Sequence, residues 1–491
     1  MPTTEKWLPP RFFPIPIVGE NIYVSRTNQS FRTLQAMVDV WGYRRPYQWT
    51  SKFTLAALSR LNFVSPTFQD ISILTSGAIS VNGSVAATPW VNGDRPDAVY
   101  YDDTTILVSQ TQAPQTVTTA GAVVALGGTP PTGQTVEVLK DFVFIAGTAT
   151  NPSRLHWSAV GNKNSWPVNN FVDIDTGNGE IKMIKAFRDE LMIFKSNKTF
   201  KLSFATEPNA DGRVRLVSEK YGAAIIGKFG VATIPGNRLA VSVIGEDAPD
   251  LIGSNDIAIF DGVSFKEISD RRISGHVAFD PGNFAGFRIK PVLSQIYWDG
   301  YLHKLVVLDS APANSEELYF YDPVTDAWGH TSKVTTAGTT GIATMCPSGS
   351  RSLFLGMLDN TYQGYDADFS QGFSDKDLEV VTALMDFGFP FRNKRVERFY
   401  ITVEINQPIV VGGSDPTIQV KLTDDVGTVI TKSKDLILAA PNRDFVFDFA
   451  PRNSKRFEIQ VLLDSSHPNT FITSMGVDVS MEAAYQGQDD V

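Results

Sequence analysis

The chain has almost no thiol chemistry. Cys346 is the only cysteine in 491 residues, which excludes an intrachain disulfide and a multi-thiolate zinc site. Histidine is nearly as scarce, at positions 156, 276, 303, 330 and 467. No two stand at metal-ligand spacing such as HxxxH or HxH, so these five read as surface or packing side chains. Long apolar runs are missing as well. No window reaches the roughly 18 apolar residues of a membrane helix. Prolines break up the N-terminal MPTTEKWLPPRFFPIPIVGE, which lacks the apolar core of a signal peptide. The sequence reads as soluble and unsecreted, with no stable membrane insertion. Positive charge is in deficit, with a formal net charge of −10. A surface that clamps phosphates needs Lys and Arg to displace counterions, so stable nucleic-acid binding is disfavoured. A passage of like charge would instead repel DNA and let it slide.

Catalytic signatures are also missing. GxSxG, HExxH, the phosphate loop GxxxxGK[ST] and the sialidase turn SxDxGxxW have no copy. No carboxylate pair is marked by its local context as a glycosidase site. The reading is of a non-enzyme with no cofactor, no metal and no catalytic residues. DIDTGNGE (173–180) sets Asp173, Asp175 and Glu180 among glycines. A calcium loop needs oxygen ligands at alternate positions and a Glu at the twelfth. Here the fifth position is Gly177 and the twelfth Ile184. A turn between blades fits the segment better.

What the chain does have is short runs of Val, Ile, Phe, Tyr and Leu bounded by Gly, Asn, Asp or Pro. This is the strand-and-turn pattern. Only SKFTLAALSRLN (51–62) reads as a helix. Tight hairpins are expected at Ser196-Asn197-Lys198, Asp261-Gly262 and Asp299-Gly300. Strand ends of related shape, among them RLHWSAV, IAIFDGVSF and LYFYDPVTDAW, recur every 45 to 60 residues or so, a propeller-blade period. In FYDPVTDAW the Asp should cap a turn and the Trp pack between blades. The expected fold is all-β, a β-propeller of about five or six blades plus a C-terminal antiparallel β-sandwich-like domain. Boundaries fall at 1–34 for an N-terminal extension packing on the C-terminal domain and at 35–378 for the propeller. The sandwich-like domain covers 379–482, and 483–491 is a polar tail. Ser65 to Pro131 is poor in large apolar residues. From inside it to Gln134, 111–134 reads as a projecting arm.

Basic residues cluster in VWGYRRPYQW, with Arg44 and Arg45, and in FRNKRVERF. In the second, Arg392, Lys394 and Arg398 would share one exposed strand face beside Arg395. A guarded edge is one reading and a subunit interface the sharper one.

SAVGNKNSWPVNNFVDIDTGNGEIKMIKAFRDELMIFKSNKTFKLS (158–203) resembles a segment of the tail nozzle proteins of short-tailed bacteriophages. These are also called tail tubular protein B or packaged-DNA stabilisation proteins. VDVWGYRRPYQW (38–49), LVSEKYGAAIIGKFGVATIPGNRLAVSV with NDIAIFDGVSFKEISDRRI, and ALMDFGFPFRNKRVERFYITVE are similar to further pieces of that family. The resemblance spans roughly residues 35 to 405, and 65–131 departs from it. It implies a homo-hexameric ring at the distal end of the virion tail, made in the host cytoplasm. The ring would dock on a tail adaptor ring, carry tail fibres or spikes, take a tail needle or plug, and pass dsDNA transiently without sequence-specific binding. Six copies at −10 each would carry about −60. Retention would then need a gate, for which the 111–134 arm supplies Gln112, Gln115, Thr118, Thr119 and Gln134. Arg392, Lys394, Arg395 and Arg398 would face a neighbouring subunit. The alternative reading is a carbohydrate-binding or carbohydrate-cleaving propeller that engages the host surface.

Overall fold

A computed structural model describes residues 7–15, 31–35, 37–39, 42–44, 49–57, 59–67, 69–91, 96–177, 179–196, 198–223, 227–245, 255–269, 295–300, 303–309, 317–332, 342–347, 353–357, 361–365, 378–382, 384–389, 391–405, 417–435, 442–464 and 470–482. The tail 483–491, His276 and His467 lie outside the described residues. The chain forms two compact units. One comprises 1–48, 320–331 and 368–491, the other 49–319 and 332–367.

Every named strand pairing is antiparallel, and seven sheets follow one another along the chain as propeller blades. Blade I is Ser59–Val64, Asp70–Leu74, Ile79–Val81 and Ser84–Ala87. Blade II is Asp97–Tyr101, Thr104–Val108, Gln115–Thr118 and Val123–Ala125. Blade III is Thr135–Leu139, Phe142–Ala146, Arg154–Trp157 and Phe171–Asp173. Blade IV is Ile181–Phe187, Glu190–Lys195, Thr199–Ser203 and Arg213–Ser218. In blade V the first strand is split. Tyr221–Ala223 and Val231–Ile234 both pair with Arg238–Gly245, which pairs with Asn255–Phe260 and then Phe265–Glu267. The sixth sheet, blade VI, is Gln295–Asp299, Lys304–Asp309, Glu317–Asp322 and Ala327–Ser332, its residues 320–331 being the stretch grouped with the first unit. Blade VII is Ile342–Pro347, Leu353–Met357 and Thr361–Tyr365, completed by Trp49–Thr54 from the other end of the unit's sequence. That borrowed strand closes the ring, because Ile342–Pro347 packs beside Ser59–Val64 of blade I.

A blade is too thin to bury both faces alone, so neighbours share cores. Leu61, Ile71, Ile73 and Ile79 of blade I pack with Ala98, Leu107 and Val117 of blade II. Phe142, Phe144, Leu155 and Trp157 of blade III pack with Ile184, Leu191, Phe200 and Leu202 of blade IV. Each fully buried Leu, Ile or Phe contributes about 1.5–3 kcal/mol over its exposed state.

The propeller is therefore present, with seven sheets among the described residues where about five or six blades were expected. The additional blades come from the segment set aside as apolar-poor. Gln115–Thr118 pairs with Thr104–Leu107 and buries Val117, and the Gly121 turn (φ 83°) returns the chain through Val123–Ala125. The projecting arm is thus corrected to the outer hairpin of blade II and the connection to blade III. A blade's outer strands need few large side chains, so Thr and Gln sufficed. The helix over 51–62 is corrected too. Trp49–Thr54 and Ser59–Val64 are strands in different blades, where pairing overrides a weak local helical pattern. The strands flanking the three expected hairpins pair with each other, Phe194 with Thr199, Phe260 with Phe265 and Asp299 with Lys304.

In the other unit two sheets face each other. One runs Met37–Asp39, Gly42–Arg44, Thr470–Met481, Lys394–Ile405 and Asn442–Asp448, with Arg11–Ile15 also on Thr470–Met481. The other runs Phe31–Gln35, Leu378–Thr382, Phe457–Asp464, Thr417–Asp424 and Val429–Asp435. Strict alternation turns Ile418, Val420 and Leu422 inward against Phe399, Ile401, Val477 and Val479. The N-terminal strands thus belong to the sandwich sheets, and Trp49 begins the propeller.

Candidate functional site

The axis of the propeller is filled by its own chain. The split in blade V is made by a short 3-10 helix, Gly227–Gly230, which packs against the innermost strands of blades II, III, IV, V and VI. Phe229 enters the core shared by blades I and II. Around this plug the inner strands are cross-linked by polar groups. Asp97 Oδ2 accepts hydrogen bonds from Thr135 Oγ1 (2.9 Å) and Val136 N (3.0 Å). Thr135 Oγ1 accepts in turn from Ile184 N at 3.2 Å. Asp97 and Thr135 are fully buried. Lys185 Nζ lies 3.0 Å from Glu137 Oε2. Burial opposes the Lys185 charge, but Glu137 outweighs it and holds the ammonium pKa above its ordinary value. Gly227 (φ 68°) lies against the Asp97 carboxylate, so the plug abuts the same network. These groups join blades II, III and IV near the axis. Sequence reading missed them, because nothing local marks Asp97 or Thr135.

The segment Ser158 to Asn170 is a strap over three blades. Lys163 Nζ reaches Asp102 of blade II, 2.6 Å from Oδ2 and 2.7 Å from the carbonyl oxygen. Asn164 Oδ1 accepts from Gly127 N at 3.0 Å. Gly128 (φ 77°) packs so closely that a Cβ there would sit 2.3 Å from the Asn164 carbonyl oxygen. Trp166 donates to the Lys163 carbonyl at 2.9 Å and packs on the core between blades II and III. At the far end Asn209 of blade IV donates to the Asn169 carbonyl at 3.1 Å. Trp166 thus pins the crossing against the core between blades II and III. Phe171–Asp173 is the outer strand of blade III, and blade IV begins at Ile181.

DIDTGNG is held by a lysine. Lys195 ends its strand fully buried, and its ammonium donates to Ser153 Oγ (3.1 Å), the Ile174 carbonyl (2.8 Å) and the Asp175 carbonyl. Burial lowers its pKa, while Asp175 raises it. A cation of the chain's own therefore sits on the carbonyls that a metal loop would aim inward. Asp173 takes a bidentate bond from Arg154, at 2.6 and 2.8 Å, which holds its carboxyl below the usual range. The Arg154 guanidinium stacks on Phe171, 3.9 Å from the ring centroid. His156 stands beside them, half-buried, with its pKa lowered by burial and by Arg154. Among the described residues no group of three His, Cys, Asp or Glu could hold a metal ion.

The residues read as a gate do not form one loop. Gln115 is buried in its strand and Thr118 begins a tight turn. The carbonyls of Thr118 and Thr119 accept from Gln69 Nε2 of blade I, at 3.1 and 2.6 Å. Gln112 donates to Thr111 Oγ1. Gln134 stands apart, buried before the inner strand of blade III, and donates to Glu180 Oε2 at 2.6 Å.

The basic run 392–398 is also divided. Lys394 is fully buried, and its ammonium donates to the carbonyls of Phe389, Arg392 (2.8 Å) and Lys455 (2.7 Å). Burial lowers its pKa. The expected common exposed face is corrected by a β-bulge. Lys394 and Val396 face inward, Glu397 is the extra residue, and the phase then shifts to bury Phe399, Ile401 and Val403. Arg398 is thereby turned outward, 3.1 Å from Asp448. Arg395 stacks on Trp7 at 3.7 Å, and Arg392 precedes the strand.

No family model and no curated relative matches the chain. Solved structures do. A chain of a mitotic checkpoint complex is 12% identical, with a TM-score of 0.39, over 66% of this chain and 95% of that one. The exo-β-1,3-galactanase of Phanerochaete chrysosporium is 9% identical, with a TM-score of 0.31, over 81% and 96%. Kluyveromyces lactis Hsv2 is 10% identical, with a TM-score of 0.29, over 54% and 82%.

Proposed function

We propose that the chain is a structural virion protein that forms the hexameric nozzle ring at the distal end of a short phage tail. The strap is the observation that carries this reading. The residues that resemble the nozzle family, from Ser158 to Ser203, are spent on fastening blades II, III and IV to one another. Their role is to hold a scaffold rigid, the demand made on a ring under pressure from packaged DNA. The plugged propeller axis adds support, because any passage for DNA would then lie between copies. A lumen lined by chains of net charge −10 would repel phosphates and keep the duplex mobile. The mass of the purified chain in solution tests the proposal. An assembly of six 53.9-kDa copies is expected. A monomer or trimer that binds oligosaccharide would favour the carbohydrate-engaging alternative.

A further inference from the structure

The outer edge of blade IV differs from its neighbours. The outermost strands of blades I, II, III and V are three or four residues long, whereas Arg213–Ser218 has six, as do Ala327–Ser332 and Trp49–Thr54. Arg213, Val214, Arg215 and Leu216 are all exposed. Val214 and Leu216 lie opposite Leu202 and Phe200, which belong to the core shared with blade III. They are 37% and 46% exposed because the outer strand of blade III, Phe171–Asp173, is half as long. Arg213 and Arg215 lie on the other face, opposite Ser203 and Lys201. Glu190, strand-paired on that face, holds Lys201 at 2.9 Å and also feels the charge of Arg215. Among the described residues no carboxylate forms a salt bridge with Arg213 or Arg215.

The sandwich treats its edges differently. Lys434, on the edge strand Val429–Asp435, donates to the Val446 carbonyl of the other sheet's edge strand, Asn442–Asp448, at 2.5 Å. That is an ordinary guard against strand addition. Among the described residues no strand pairs with the outer edge of blade IV. Two copies of Arg213–Ser218 would meet with like charges and repel. The acidic edge strand of this chain already spends Asp444 on Thr402 and Asp448 on Arg398. A strand that alternates acidic and apolar residues meets both faces of the open edge. Its carboxylates reach Arg213 and Arg215, and its apolar side chains extend the ledge of Val214 and Leu216.

We infer that Arg213–Ser218 is a docking edge for strand addition by an extended segment of a different protein, with acidic and apolar residues at alternate positions. Backbone hydrogen bonds would supply affinity, and the two arginines would select charge. The inference stands apart from the hexameric ring, because it needs only the folded propeller.

The test uses the full chain and two capped synthetic peptides, one alternating Asp and Val and a control alternating Lys and Val. The Asp–Val peptide is expected to bind, more weakly as salt rises, and to slow amide hydrogen exchange across 213–218. Arg213→Glu with Arg215→Glu is expected to weaken that binding by roughly tenfold or more and to improve binding of the Lys–Val peptide. Should that variant lose its thermal transition, Arg213→Gln with Arg215→Gln carries the same comparison. The inference is overturned by no binding, by equal binding of both peptides, or by protection that appears elsewhere in the chain.

Discussion

Asp97 of blade II reaches across to blade III, its Oδ2 lying 2.9 Å from Thr135 Oγ1. Thr135 then accepts from the Ile184 amide of blade IV, so one hydroxyl joins three inner strands. Thr135→Val keeps the shape and removes that hydroxyl. It should cost about 1–3 kcal/mol, because Asp97 Oδ2 and the Ile184 amide each lose a partner in a dry site. Thr135→Ser should recover most of the loss. Thermal melting of the three proteins checks this, and equal melting would remove the link from the account.

Lys195→Met fills a similar volume and leaves Ser153 Oγ and two carbonyls without their donor. A loss of about 2–4 kcal/mol is expected, offset in part because no charge is then buried. Chemical denaturation measures it. Faster amide exchange across 174–177 should accompany the loss.

Gly476 has no room for a side chain while Phe12 lies over it. A Cβ there would meet the Phe12 ring at 2.3 Å, and Phe12 also stands edge-on to Tyr400, centroids 5.7 Å apart. Gly476→Ala should therefore push the exposed Phe12 ring aside and cost its contact with Tyr400. In the Phe12→Ala background the same change should cost much less. A double-mutant cycle that shows simple additivity would contradict the packing argument.

His156 gives the propeller an acid-side weakness. Burial and Arg154 lower its pKa in the folded state below the value near 6.5 of an unfolded chain. The unfolded state therefore binds the proton more readily. The contribution is fully present above about pH 6.5 and is lost as pH falls toward the folded pKa. His156→Gln should flatten the fall in melting temperature over that window. An unchanged slope would assign the acid sensitivity to other groups.

Much of the architecture was legible because strands and turns are local. Asp261-Gly262 and Ser196-Asn197-Lys198 mark hairpins by turn chemistry alone, and the strand alternation of Thr417–Asp424 names its own buried face. The blade count was not legible. Gln115–Thr118 resembles a loop until Thr104–Leu107 pairs with it. The bulge at Glu397 was hidden for a related reason, since one extra residue reverses which side of Arg398 faces water and leaves no mark in composition. Lys195 did leave a trace, a lysine closing the apolar run LMIF, where a buried ammonium needs carbonyls waiting for it.

Imaging of the purified chain by negative-stain electron microscopy tests the central claim most directly. Closed sixfold rings around an open lumen, each subunit carrying one plugged propeller, are the predicted result. Particles of another symmetry, or single propellers at every concentration tried, would contradict it.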